Sequence, residues 1–167
     1  MPGRASRSVS VFLGTHQNRL DAKGRVSIPS AFRATLRTLS RAGEPLVIMR
    51  PSHLHPCLEA WPSASFSALA RPLDEVDIFS EDHDDLATAL YADAYPIDAD
   101  KEGRILLPET LRAHANLTEQ VTFMGLGRIF QVWDPDTATQ RRDEARRRAR
   151  ALTSGRKTAA SPPEGSA

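Results

Sequence analysis

One short segment occurs twice in this chain, and that duplication limits the possible folds more than any other feature. Asp21-Ala-Lys-Gly-Arg25-Val-Ser-Ile-Pro29-Ser-Ala-Phe-Arg33 aligns without gaps on Asp100-Lys-Glu-Gly-Arg104-Ile-Leu-Leu-Pro108-Glu-Thr-Leu-Arg112, at a constant offset of 79 residues. Five of the thirteen positions are identical, where chance supplies about one. Val26/Ile105, Ile28/Leu107 and Phe32/Leu111 also match in apolar character. A chain carrying such a pair is built from one structural unit used twice.

Each copy reads as strand, turn, strand and short helix. Gly24 and Gly103 supply a residue free to take positive φ and mark the turns. The β-branched and apolar residues that follow favour extended backbone. Pro29 and Pro108 end that strand, because proline cannot donate to a sheet ladder and suits a helix start. Helices are expected at 30–39 and 109–115, with Asn116 taking the left-handed position after the second. Leu46–Met49 and Leu58–Trp61 read as a strand pair joined by Arg50-Pro51-Ser52-His53. Val121–Met124 and Ile129–Trp133 read as its counterpart, around the hairpin signal Gly125-Leu126-Gly127-Arg128. Residues 63–92 read as two helices broken near Pro72. Asp134-Pro135 opens a helix that is expected to end near Leu152.

Charge is segregated along the chain rather than absent, although the net value is only +1. Residues 1–33 carry Arg4, Arg7, Arg19, Lys23, Arg25 and Arg33 against Asp21 alone. Residues 72–100 carry ten Asp or Glu and no Lys or Arg, and Arg141–Arg150 holds six arginines in ten positions. A local basic face can attract phosphate on a near-neutral molecule. No apolar run approaches the length that spans a bilayer, and no apolar signal core follows the basic lead MPGRASRSVS. The single cysteine, Cys57, excludes a disulfide framework within the chain and suits a reducing cytoplasm. There Asn116-Leu117-Thr118 meets no glycosylation machinery and reads as a helix end.

The chain resembles the MraZ transcriptional regulators, relatives of the AbrB-like swapped-hairpin DNA-binding proteins. The resemblance rests on Phe12-Leu-Gly14, Leu20-Asp21-Ala-Lys-Gly-Arg25, His55-Pro-Cys57-Leu, Trp61-Pro62, Gly103-Arg104, Val121-Thr-Phe-Met-Gly-Leu-Gly and Phe130-Gln-Val-Trp133-Asp134, and spans about residues 12–140. Two Asp-x-x-x-Arg motifs, each followed by an apolar pair and proline, make it specific. It implies a β-rich α+β fold: two tandem AbrB-like swapped-hairpin (β-barrel) repeats with short helices and a C-terminal helix. It also implies a ring-shaped homo-oligomer and repression through short direct repeats in the promoter of a cell-division and cell-wall gene cluster that includes the chain's own gene. The chain departs from the family in its basic lead, in its tail after Leu152, and in lacking a clear apolar stripe after Pro135. The organisation expected is a flexible basic lead over 1–11, a first repeat over 12–62 and a helical connector over 63–95. A second repeat over 96–134, a helix over 135–152 and a disordered tail over 153–167 complete it.

Arg25 and Arg104 are the residues expected to meet DNA, since a planar five-donor fork can bridge phosphate oxygens or take both acceptors of a guanine edge. Asp21 and Asp100, four residues earlier across Gly24 and Gly103, are placed to hold each fork in one rotamer. The plainer alternative is an internal ion pair that only fixes the turn. Arg19, Lys23 and Lys101 are candidate phosphate contacts. Glu102, at the place of Lys23, is expected to make the second loop the weaker reader. The arginine run at 141–150 reads equally as a solvated helix or a nonspecific DNA attractor. His53, His55 and Cys57 would share one face of a strand but lack a fourth ligand and closing geometry for zinc, so no metal is expected. Asp82, Asp84 and Asp85 lack the spacing of a calcium loop and read as a helix face. No phosphate loop, dinucleotide fingerprint or nucleophile elbow occurs, and no catalytic residue, cofactor or small-molecule ligand is assigned. The function expected is a non-enzymatic, cytoplasmic, nucleoid-associated regulator that binds double-stranded DNA. Two alternatives remain: an AbrB-like antitoxin, against which stand the two motif copies and the absence of a toxin-clamping tail, and a structural ring-forming protein.

Overall fold

Each copy of the duplicated segment folds as strand, tight turn, strand and helix in the computed structural model, which describes residues 11–159. The first copy forms β1 (Thr15–Arg19), β2 (Arg25–Ser27) and α1 (Ser30–Leu39), followed by β3 (Val47–Pro51) and β4 (Leu58–Trp61). A connector holds α2 (Ser63–Phe66), a 3-10 turn at Ser67–Ala70, α3 (Arg71–Asp74) and α4 (Glu81–Tyr91). The second copy forms β5 (Tyr95–Ile97), β6 (Arg104–Leu106), α5 (Glu109–His114), β7 (Gln120–Gly125) and β8 (Phe130–Trp133). A separate unit begins with α6 (Pro135–Ala159).

The prolines and the left-handed asparagine act as the sequence predicts. Pro29 and Pro108 flank α1 and α5, and their carbonyls accept the N–H groups of Arg33 and Arg112 at 2.9 and 3.1 Å. Asn116 has φ +52°. The Asn116 and Leu117 N–H groups donate to the Ala113 and Arg112 carbonyls at 3.3 and 3.0 Å, closing the two orphan acceptors of a Schellman end.

The two copies do not fold side by side. A six-stranded antiparallel sheet runs β1-β7-β8-β4-β3-β5, and β2 pairs with β6 in a separate two-stranded ribbon. Exchanging the copies (β1 for β5, β3 for β7, β4 for β8) leaves the strand order unchanged, so the topology has an internal twofold. The first strand of each copy lies on the third strand of the other. The closed barrels expected from the resemblance are therefore corrected to an open six-stranded sheet with β1 and β5 as edges. Strands of three to five residues cannot cover an apolar face alone. The polar β1, Thr-His-Gln-Asn-Arg, is suited to an edge that meets water.

One buried cluster draws on both copies. Phe12, Phe32 and Phe130 meet pairwise with ring centroids 5.0–5.4 Å apart. Val26 pairs with Ile105 across the ribbon, both facing the core. The duplication also reaches the two tryptophans. Trp61 Nε1 donates to Glu59 Oε1 at 3.1 Å, Trp133 Nε1 donates to Gln131 Oε1 at 2.9 Å, and Glu59 and Gln131 are register partners between β4 and β8.

Four local expectations need correction. Arg50 and Pro51 belong to β3 rather than to the turn. The Arg50 side chain is buried, bonds Glu59 at 2.6 Å, and donates to the Ala89 and Leu90 carbonyls of α4 at 3.0 and 3.3 Å. A buried guanidinium needs partners on every side, and strand placement supplies them. His53, His55 and Cys57 occupy the loop after β3, not one strand face, because Ser52 Oγ accepts the Leu54 and His55 N–H groups and curls the chain. The helical break falls between α3 and α4, not at Pro72. That proline stands in the first turn of α3, where its missing N–H costs nothing, and Ser80 caps the restart by accepting the His83 N–H at 3.1 Å. Finally, α6 continues past Leu152 to Ala159, so the first residues assigned to a disordered tail are helical. Helix-forming Ala, Arg and Lys persist there, and the next proline is Pro162. The rest of that tail and most of the basic lead lie outside the described residues.

Candidate nucleic-acid interface

Asp21 builds the turn between β1 and β2. Its carbonyl accepts the Gly24 N–H at 3.0 Å and its N–H donates to the Arg25 carbonyl at 2.9 Å. The three residues enclosed by the Asp21–Arg25 pair need a left-handed residue at their end, and Gly24 supplies φ +86°. The carboxylate completes the turn. Oδ1 accepts the Lys23 and Arg25 N–H groups at 2.9 and 2.8 Å, and Oδ2 accepts Arg25 Nε at 2.8 Å. One aspartate thus sets both the backbone of the loop and the rotamer of its arginine, which explains the spacing of four.

The second loop repeats this bond for bond. Asp100 Oδ1 accepts the Glu102 and Arg104 N–H groups at 2.9 and 3.0 Å, Oδ2 accepts Arg104 Nε at 3.0 Å, and Gly103 has φ +80°. Donation from the arginine's own backbone N–H is the main cause that holds the Asp21 and Asp100 carboxyls below their ordinary value of 3.8. Both pairs stand partly open to solvent, with side-chain exposures of 36% and 37% for Arg25 and Asp21, and 33% and 41% for Arg104 and Asp100.

The loops differ in what else meets the fork. Glu102 Oε2 accepts from Arg104 Nη2 at 2.9 Å. Lys23 takes that place in the first loop, and among the described residues no carboxylate meets the terminal nitrogens of Arg25. Both arginines lie on one surface. Arg25 opposes Leu106 and Ser27 opposes Arg104 in the ribbon, while Val26 and Ile105 between them are buried. Strand alternation therefore puts Arg25, Ser27, Arg104 and Leu106 on the outward face. Arg19, Lys23 and Lys101 are also exposed, Arg19 at the end of β1 and the lysines in the two loops. Ser27 and the exposed Leu106 had no place among the expected site residues. Counting every second residue from each arginine would have found them.

Other candidate groups lie elsewhere. Cys57 is buried, His53 is exposed, and the His55 ring lies 5.7 Å from that of Trp133. Asp82 and Asp84 fall in the first turn of α4, where carboxylates complement the positive end of the helix. Among the described residues no His, Cys, Asp and Glu group is arranged to hold a metal ion, and no helix is long and apolar enough to cross a membrane. Within α6, Glu144 pairs with Arg141 at 3.9 Å and with Arg148 at 2.6 Å, and Asp143 pairs with Arg146 at 3.6 Å. Part of the arginine run is thus engaged along its own helix.

A family model described as "MraZ protein, putative antitoxin-like" matches residues 11–88 and 90–153. A protein of Gluconobacter oxydans named transcriptional regulator MraZ is 64% identical over 157 residues, covering 94% of this chain and 96% of its own. Its namesake in Gluconacetobacter diazotrophicus is 67% identical over 144 residues, covering 86% and 91%. The one in Xanthobacter autotrophicus is 38% identical over 141 residues, covering 84% and 88%.

Proposed function

The chain belongs to the MraZ family, and from that premise we propose that it regulates transcription by binding double-stranded DNA through the outward face of the β2–β6 ribbon and its two loops. The observation that carries this reading is the presence of two aspartate-held arginines on one face of a two-stranded ribbon. A ribbon of that kind fits the major groove, where an arginine fork can take both acceptors of a guanine. Arg25 is the principal reader, because among the described residues no carboxylate meets its terminal nitrogens. Arg104 is the weaker one, because Glu102 shares its fork. Arg19, Lys23 and Lys101 contact phosphates and set the position of the ribbon. Copies of the chain assemble into a ring that binds short direct repeats upstream of a cell-division and cell-wall gene cluster that includes its own gene, and represses it from the nucleoid. The experiment is a gel shift with the DNA upstream of the chain's own gene. A saturable shift that survives nonspecific competitor supports the reading, and its absence at micromolar protein rejects it.

The antitoxin description of the family model favours a second reading. It requires a toxin partner whose growth arrest this chain relieves, and relief of such arrest without any shift of the upstream DNA would replace the DNA reading with it.

Two expected results follow from the loops. Glu102→Gln leaves the Arg104 fork free and removes a charge that repels phosphate, so affinity in the gel shift rises a few-fold. A fall in affinity would show that Glu102 supports the loop. The Asp carboxyls are depressed, so the order they give the loops is complete above pH 3.8 and is lost as pH falls through their lowered values. DNA affinity therefore stays level from roughly pH 8 to pH 5 as far as these groups are concerned. A midpoint near pH 6 in a pH-resolved titration would assign the control to a histidine instead.

A further inference from the structure

Of the five identities in the duplicated segment, four are accounted for by the loops and helix starts. The fifth, Arg33 and Arg112, is not. Both lie on the helix that follows each ribbon strand, and both reach across the internal twofold. A methyl group placed on Gly24 would lie 3.0 Å from Arg112 Cζ and Nε, and one placed on Gly103 would lie 2.6 Å from Arg33 Cζ and 2.9 Å from Arg33 Cδ. Each helix arginine thus packs against the glycine of the other copy's loop, at the residue next to the reading arginine.

The backbone completes the link. The Gly24 carbonyl accepts the Leu107 N–H at 2.9 Å, and the Leu107 carbonyl accepts Arg112 Nε at 3.0 Å. In the other direction the Gly103 carbonyl accepts the Ile28 N–H at 3.1 Å. The glycines are therefore required twice, for positive φ and for the close approach of a guanidinium. A planar guanidinium can cover a peptide face and still donate sideways, which an ammonium cannot do.

We infer that Arg112 and Arg33 are positioning residues for DNA reading, each holding the Asp-x-x-x-Arg loop of the opposite copy in place. Arg112 clamps the loop that carries Arg25, and Arg33 clamps the loop that carries Arg104. The inference deepens the DNA-binding reading and rests on it.

The test uses the full chain. In a gel shift on the upstream DNA, Arg112→Ala and Arg112→Lys are both expected to lower affinity at least tenfold. Recovery of wild-type affinity by lysine would make Arg112 a plain phosphate contact and overturn the inference. In double-mutant cycles, Arg112→Ala should couple to Lys23→Ala in the first loop and add independently to Lys101→Ala in the second. The reverse pattern would place its action within its own copy and also overturn it. Hydrogen exchange without DNA separates this from failure of the DNA reading. Arg112→Lys should speed exchange at residues 21–25 and spare 100–104, and Arg33→Lys should do the opposite. If that crossed pattern holds while wild-type protein ignores DNA, the clamp stands as a contact and the DNA reading alone has failed. Uncrossed or unchanged exchange would show that there is no clamp.

Discussion

Phe32→Ala is expected to destabilise both copies together, lowering the melting temperature by roughly 6–20 °C in a single transition. Phe32 is a first-copy residue, fully buried on α1, and its ring lies 5.4 Å from Phe12 and 5.0 Å from second-copy Phe130. Truncating a buried phenylalanine costs about 3–5 kcal/mol through lost transfer energy and the cavity left behind. Because β1 lies on β7 and β5 lies on β3, that loss cannot stay in one copy. The chain supplies its own reporters. Trp61 follows the first copy, Trp133 follows the second, and either can be silenced by Trp→Phe. At fixed protein concentration the two fluorescence transitions should coincide and move together in Phe32→Ala. A Trp133 transition that stays at its wild-type temperature would show two independently folding units.

DNA bearing two or more copies of the short repeat is expected to bind at least a hundredfold more tightly than DNA bearing one. A good base contact discriminates by only about 1–3 kcal/mol, and in the proposed reading each chain offers one principal reader, on a three-residue strand. Several chains held in one assembly turn the second contact into an intramolecular one, which adds about 10²–10⁴ in affinity without a new contact. Titrating one-repeat and two-repeat duplexes of equal length, with light scattering to count subunits, measures this. Equal affinities would remove the ring from the mechanism.

The loops and the helix starts after Pro29, Pro108 and Asp134 were legible in the sequence because their causes are local. Aspartate, glycine and arginine at spacings of three and four specify a turn whichever sheet it joins, and proline marks a helix start wherever the helix packs. The hairpin pairs β3–β4 and β7–β8 were legible too, but which strands join across the two copies was not. The edge strand Thr15–Arg19 is polar and held by backbone bonds to β7, so no hydrophobic pattern announces its partner. Arg50 was read as part of a turn because it adjoins Pro51 and Ser52, both common turn residues. Its true neighbours, Glu59 and the end of α4, come from nine and about forty residues away. The C-terminal end of α6 was misjudged because no apolar pattern continues past Leu152, and the connector break was misplaced because Pro72 reads as a breaker yet stands in the first turn of α3. The site shows the same division. The aspartate-arginine pairs follow from spacing, whereas the grip of Arg112 on Gly24 depends on the pairing of β2 with β6.

The central claim, that aspartate-held arginines read DNA, is tested most directly by Arg25→Ala in the gel shift on upstream DNA, with size-exclusion and light scattering on the same samples. The variant should keep the oligomer of the wild-type protein and lose nearly all specific binding, because every subunit loses its principal reader at once, while Arg104→Ala should lose less. An intact Arg25→Ala oligomer that binds with wild-type affinity would make the Asp21–Arg25 pair a purely structural turn clasp and contradict the account.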